Sequence, residues 1–338
     1  LYAPGLGYYA NESRKFGLMP HSGSDFVTAP ELTSLFGRTL ALQVAEALAR
    51  SGTDEVFEFG AGSGALAEQL LDALEVAGTP PRRYTIIDLS GTLKARQAGR
   101  LARFGSRVQW LDAWPAAMRG VVVANELLDA IPVQLLHFDG ERWFERGVAC
   151  GEPPGPTPRF VFADRETALR PPVDTGFLPG TVTEIQPQAR AFVATLAQHL
   201  ASGVALFIDY GFPEAEYYHP QRHGGTLMCH RAHQADADPL SDVGLKDITA
   251  HVDFTGVALA AQDAGLQVLG YTSQGRFLLN CGLPDLLPAA SLRDRALAMK
   301  LIDEHEMGEL FKVLALGSAD LADYAPLGFC SGDRMHRL

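Results

Sequence analysis

Three stretches of this 338-residue chain have residue types and spacing suited to chemistry. The first is Glu58-Phe59-Gly60-Ala61-Gly62-Ser63-Gly64. Glycines at alternate positions let a backbone turn tightly and approach a ligand closely, and a helix opening behind such a turn favours an anionic group. Asp88, at the end of the next strand, stands where a carboxylate accepts hydrogen bonds from ribose hydroxyls. Two cofactors fit. The run Gly60-x-Gly62-x-x-Ala65 satisfies the spacing of a nicotinamide-dinucleotide turn. S-adenosylmethionine fits as well, with its amino acid carboxylate at the turn and its ribose at Asp88. A ligand-free glycine turn is the third reading. The second stretch is Asn125-Glu126-Leu127-Leu128-Asp129, where two acids fall on one face if a helix begins there. Alternatively, Glu126 favours a helix N-terminus and Asp129 is solvated. The third is His251, in Thr249-Ala250-His251-Val252-Asp253. It can orient a substrate or act as a base, or equally cap or pack.

These residues need a scaffold. Glu55–Phe59, Tyr84–Asp88, Val108–Leu111, Val121–Ala124 and Val204–Asp209 read as strands, with helices over 65–74 and 92–104 between the early ones. Strands alternating with helices predict a parallel, doubly wound sheet, and the unbroken apolar run 121–124 predicts a strand buried on both faces. Ligands of such sheets bind at the carboxyl edge, where Asn125–Asp129 and Asp209-Tyr210 emerge. Residues 1–30 read as loop. A helix then runs through Leu32, Leu35, Phe36, Leu40, Val44 and Leu48, with Thr28 as N-cap, Pro30 in the first turn and Glu31 at capping-box spacing. A hairpin is expected over 133–148 around Asp139-Gly140, irregular loop over 151–181, a helix over 188–200 and a long loop over 211–250. Asp253 is the expected N-cap of a helix from Phe254. The last strands are placed at Gln267–Tyr271 and Arg276–Asn280, with a helical segment after Pro288.

Composition bounds the class. Apolar residues make up 47% of the chain, which excludes disorder. The 40 acids against 28 Lys and Arg give a net charge of −12, which argues against nucleic acid. No apolar run reaches the roughly 18 residues of a membrane helix, so no membrane insertion is expected. Four cysteines without a C-x-x-C pair read as reduced thiols in a cytosol-like compartment. His219, His223, Cys229, His230 and His233 lack zinc-site spacing, so no metal is expected. The chain opens on Leu1 rather than Met, which leads us to expect sequence upstream.

From end to end the chain resembles the MidA family of S-adenosylmethionine-dependent methyltransferases, whose mitochondrial members are complex I assembly factors that methylate a protein arginine. The resemblance rests on Gly7-Tyr-Tyr9, Gly23-Ser-Asp-Phe-Val-Thr-Ala-Pro-Glu31, Phe36-Gly37 and the Glu58–Gly64 turn. It continues through Asp88-Leu-Ser90, Gln97, Asn125–Pro132, Asp209-Tyr-Gly211 and Gly225-Thr-Leu227. Asp247–Phe254, Gln274–Leu278 and Met307–Lys312 complete it. One departure is Asp88, where Glu is the commoner residue; both can hold a ribose.

The resemblance implies a Rossmann-like, seven-stranded class I methyltransferase core. We expect an N-terminal cap over residues 1–50, a core over 51–282 with insertions at about 131–200 and 211–250, and a helical segment over 283–338. Asp25 and Thr28 then belong to a loop folded over the cofactor, and Asp112 to the adenine-contacting position after the third strand. The implied cofactor-binding set is Asp25, Thr28, Glu58, Gly60, Ala61, Gly62, Gly64, Asp88, Leu89, Asp112 and Asn125. The implied catalytic set is Glu126, Asp129 and His251. The expected reaction is methyl transfer to arginine of a protein client in the cytoplasm, or in the mitochondrial matrix if the source is eukaryotic, by a chain able to form a homodimer. The rivals are a non-catalytic assembly module that binds a client through 211–250 and a nicotinamide-dependent oxidoreductase.

Overall fold

The computed structural model describes residues 1–3, 5–10, 27–88, 91–151, 159–174 and 176–338. Seven strands form the main sheet: β1 (Glu55–Phe59), β2 (Arg83–Ile87), β3 (Val108–Leu111), β4 (Met118–Asn125), β5 (Leu200–Phe212), β6 (Gln267–Ser273) and β7 (Phe311–Gly317). Their order is β6-β7-β5-β4-β1-β2-β3. β1 to β5 pair in parallel, and β7 runs antiparallel to both of its neighbours. An eighth, two-residue strand, Val252–Asp253, pairs with the end of β5.

Alternation along the strands fills two cores. Val56, Val121, Val123, Val204, Leu206 and Ile208 face one layer, which includes the helices α1 (Leu35–Ser51) and α2 (Ala65–Val76). Phe57, Phe59, Val122, Ala124, Ala205 and Phe207 face the other, with Val193 and Leu196 of α4 (Pro187–His199) and Val257 and Ala261 of α5 (Phe254–Asp263). The β4 run is therefore buried on both faces, as a parallel strand between two helical layers must be. Each fully buried Val, Leu or Phe side chain contributes about 1.5–3 kcal/mol. α3 (Gly91–Leu101) lies between β2 and β3 in the chain.

Register places the chemistry. Phe59 lies opposite Ile87 and Ala124, and Asn125 lies opposite Ile208. Gly60, Asp88 and Glu126 thus leave the sheet at one edge, level with Asp209 of β5.

The insertions hold their own sheets. Arg159–Glu166, Trp143–Gly151, Gln134–Phe138 and Val182–Ile185 form a four-stranded antiparallel sheet in that order. Gln234–Asp236, Met228–Arg231 and Asp247–Thr249 form a three-stranded one.

Several sequence expectations change. The 133–148 hairpin forms, but Arg159–Glu166, expected as irregular loop, is a third strand beside it. All eight of its residues are exposed, so no buried face left an alternating pattern to read. Arg276–Asn280 is helical, not a strand: Gln274–Asn280 is capped by Ser273, whose Oγ accepts from Arg276 N. The closing strand is β7, inside the 283–338 segment expected to be helical. Its burial on both faces explains the run Phe311-Lys-Val-Leu-Ala-Leu-Gly317, whose period fits a buried helix equally well. The helix expected from Thr28 breaks at Thr33, which is extended, and restarts at Leu35. Thr28 makes no side-chain cap there, although its carbonyl accepts from Glu31 N at 3.0 Å. Asp253 does cap α5, accepting from Gly256 N at 3.0 Å.

Candidate active site

A cavity of about 1270 Å³ opens at that carboxyl edge. Thr28, Glu58, Gly60, Ala61, Gly62, Asp88, Asp112, Asn125, Glu126, Asp129 and His251, all singled out from the sequence, line it together. Gly64 does not. It stands behind the turn at the N-cap of α2 with φ +80°, and a Cβ there would lie 3.4 Å from Gln97. Asp25 and Leu89 lie outside the described residues.

The turn needs its glycines. Gly60 and Gly62 have φ of +68° and +54°, in the left-handed region that disfavours side chains. A Cβ on Gly60 would also meet Leu127 Cδ1 at 3.0 Å. Glu58 lies beneath the turn, buried, and accepts from Tyr84 Oη at 2.7 Å. Burial first pushes its carboxyl up to about 7 against the pull of the Tyr84 hydrogen bond, and the nearby Asp88 adds to the rise.

Sequence reasoning gave Gln97 no role in the site. Its side chain is fully buried, and Nε2 donates to Asp88 Oδ2 at 2.9 Å and to Gly62 O at 3.0 Å. Its Oε1 accepts from Trp110 Nε1 at 2.9 Å. One amide thus ties the glycine turn, Asp88 and β3 together. A polar residue on a helix face that must be buried was the available signal. Asp112 differs: its side chain is 84% exposed and pairs with Lys94.

The acidic wall follows β4. No helix forms over 126–129, so the one-face argument for Glu126 and Asp129 fails. A tight turn sets their positions instead. Glu126 has φ +52°, and its N–H donates to Ile208 O at 2.9 Å. Buried Asp209 holds the turn: its Oδ2 accepts from the backbone N–H groups of Leu127, Leu128 and Asp129 at 3.1, 2.8 and 3.3 Å. Asp209 is therefore a brace for the motif, and Tyr210 beside it donates from Oη to Asp129 Oδ2 at 2.5 Å.

Burial dominates the electrostatics. It pushes Glu126 up to about 8, helped by Asp129 and opposed by Asn125, whose Nδ2 donates to Glu126 Oε1 at 3.1 Å. It pushes Asp129 up to about 6 against the Tyr210 hydrogen bond. Neither acid has an ion-pair partner among the described residues, and Asp129 Oδ1 and Asn125 Oδ1 are buried without a hydrogen-bond partner there. Buried acceptors of this kind mark where a donor belongs.

Asp247, also outside the sequence-derived set, is buried on the cavity wall and accepts from Tyr9 Oη at 3.0 Å. Tyr2 stacks on Tyr9 at 5.5 Å and donates to Ala130 O. His251 stands edge-on to Tyr210 at 5.3 Å, and its Nδ1 is buried without a partner among the described residues. Burial, with Arg222 and Lys312 nearby, pushes it down to about 4, so the ring is neutral at neutral pH. Among the described residues no three His, Cys, Asp or Glu side chains cluster as metal ligands, and no helix is long and apolar enough to cross a membrane.

Residues 39–272 match the family described as "Putative S-adenosyl-L-methionine-dependent methyltransferase". The mitochondrial protein arginine methyltransferase NDUFAF7 of Danio rerio is 28% identical over 94% of this chain and 82% of its own length. The Caenorhabditis elegans homolog is 26% identical over 93% and 80%. A COG1565 superfamily member from Burkholderia thailandensis, whose crystal structure is bound to S-adenosyl-homocysteine, is 49% identical with a TM-score of 0.94, covering 100% of this chain and 90% of that one.

Proposed function

The chain belongs to the S-adenosyl-L-methionine-dependent methyltransferase family, and from that membership we propose that it methylates a guanidinium nitrogen of arginine in a protein substrate. The observation that carries the substrate reading is the Glu126–Asp129 wall: two high-pKa carboxyls on the cavity, braced by Asp209 and without a cationic partner among the described residues. The cofactor is S-adenosylmethionine, and the nicotinamide reading of Gly60–Ala65 falls with the family.

The residues fit that cofactor. The Gly60–Gly64 turn leaves space that a Cβ at Gly60 would fill, and the N-terminus of α2 behind it suits a carboxylate. Asp88, fixed by Gln97, would accept the ribose hydroxyls. Asn125 Oδ1 is an acceptor awaiting a donor. When bound, S-adenosylmethionine supplies an electrophilic methyl group on a sulfonium.

The chain's own part is positioning. Glu126 and Asp129 grip the guanidinium and fix its plane, so that one nitrogen presents its lone pair along the transfer line. Bringing a permanent cation against two raised carboxyls favours their ionised forms, so substrate binding releases protons. A carboxylate oxygen of Glu126 then receives the proton that the methylated nitrogen gives up. Exclusion of water from the cavity strengthens each of these contacts.

The test supplies the chain with S-adenosylmethionine tritiated in its methyl group and protein from cells lacking its gene. Label is expected in methylarginine after hydrolysis. Label in methyl-lysine or methylglutamine refutes the arginine assignment. Cofactor binding with no labelled protein favours the assembly module. Glu126→Gln is expected to keep S-adenosyl-homocysteine affinity within about threefold and to reduce transfer by roughly a hundredfold or more. Loss of cofactor affinity instead would move Glu126 into the cofactor site.

A further inference from the structure

The cavity wall carries charges of both signs. Glu126, Asp129 and Asp247 line it, and so does Arg222. Arg222 lays its guanidinium 3.8 Å above the ring of Phe212 and has no ion-pair partner among the described residues. Phe212 packs against His251 at 5.1 Å, and His251 against Tyr210 at 5.3 Å, whose hydroxyl reaches Asp129. A run of ring contacts therefore links Arg222 to the Glu126–Asp129 wall. Tyr210 and His251 of that run line the cavity and offer a bound peptide ring surface between the two.

Arg222 cannot serve the substrate arginine, because like charges repel. It presents a planar, permanently charged fork whose natural partner is a carboxylate. Lys312, on the same ring, is buried and occupied by the carbonyls of Glu309 and Leu310. Arg222 is exposed and has no such engagement. His251 is neutral, so among the described residues that line the cavity the positive charge is that of Arg222.

We propose that Arg222 is a specificity-determining residue that binds the side-chain carboxylate of an Asp or Glu of the substrate peptide near the arginine to be methylated. The inference rests on the reading of Glu126 and Asp129 as the guanidinium site. Extended chain advances roughly 3.4 Å per residue, so the ring run limits the spacing to about six residues. The substrate is then a mixed-charge segment with arginine and acid close together, rather than a uniformly basic one.

The experiment measures peptide affinity by fluorescence anisotropy on the S-adenosyl-homocysteine-saturated protein. Peptides carry one arginine in an Ala/Ser/Gly background, with one Asp moved from six residues before it to six after, and Asn versions as controls. One Asp position is expected to bind roughly threefold to tenfold tighter than its Asn control, and the gain is expected to weaken with salt. Arg222→Ala should bring that Asp peptide down to its Asn control, Arg222→Lys should keep part of the gain, and Arg222→Glu should favour Lys in place of Asp. Equal binding of Asp and Asn peptides, at whatever strength, or a preference that survives Arg222→Ala, overturns the proposal. A separate arm replaces the arginine by glutamine: binding indifferent to that replacement refutes the guanidinium reading, while arginine peptides that respond to the replacement but show no acid preference refute the Arg222 site alone. The Arg222 variants are surface changes, and circular dichroism checks their fold.

Discussion

Glu126→Gln should make the protein more heat-stable at alkaline pH while removing its activity. Glu126 is held at about 8 in the folded chain, against an ordinary value of 4.5, first by burial and then by Asp129. The unfolded chain ionises this carboxyl from pH 4.5 upward, whereas the folded chain keeps it protonated to pH 8. A raised carboxyl stabilises the fold fully below its unfolded value, and that contribution is lost as pH rises through the folded one. Each pH unit in that window costs about 1.4 kcal/mol. The loss reaches about 3 kcal/mol at pH 7 and a ceiling of about 5 kcal/mol above pH 8. The site opens onto the cavity, and solvent screening there roughly halves these figures. Glutamine does not titrate and escapes the loss. For a chain of this length 1 kcal/mol moves Tm by roughly 1–2 °C. The variant should therefore match the wild type near pH 4.5 and exceed it by about 3–5 °C at pH 8.5, measured by calorimetry without ligand. Asp129, held at about 6, titrates in the same direction in both proteins. A Tm gap that is constant or shrinks as pH rises would refute the reasoning. The same carboxyl sets the activity profile: kcat/KM for an arginine substrate should rise with pH to a midpoint near 8, which is the free-enzyme value.

Gly60→Ala, at φ +68° and 3.0 Å from Leu127, should cost roughly 1–2 kcal/mol of stability and lower S-adenosyl-homocysteine affinity at least tenfold by calorimetric titration. Gln97→Leu strips Asp88, Gly62 O and Trp110 of a shared partner, and cofactor affinity should fall roughly tenfold; unchanged affinity would make Gln97 merely a core residue. Both carboxylate oxygens of Asp209 accept backbone N–H groups, Oδ2 from Leu127–Asp129 and Oδ1 from Tyr210, so Asp209→Asn must set its NH2 against one of them; arginine transfer should drop at least tenfold with S-adenosyl-homocysteine affinity retained, and equal losses in both would mean that the whole edge, not the acidic wall, had moved.

Local chemistry wrote much of this protein into its sequence. The strand–glycine–helix unit at 55–76 reads directly, because only glycine accepts the backbone of that turn and an unbroken β-branched run such as 121–124 demands burial on both faces. The same run of motifs carries the family, and with it the cofactor. Tertiary structure decided what rests on contacts distant in sequence. β7 is a strand because β5 and β6 leave a gap that an apolar segment of either period could fill. Arg159–Glu166 pairs with a neighbour while burying nothing, so its sequence carries no period. Asp209 looked like a residue facing substrate and is instead the brace for Leu127–Asp129, some 80 residues earlier in the chain. Gln97, Asp247 and Arg222 take their meaning only from what faces them, since an amide, an acid or a guanidinium becomes functional through a partner, or the lack of one, that folding supplies.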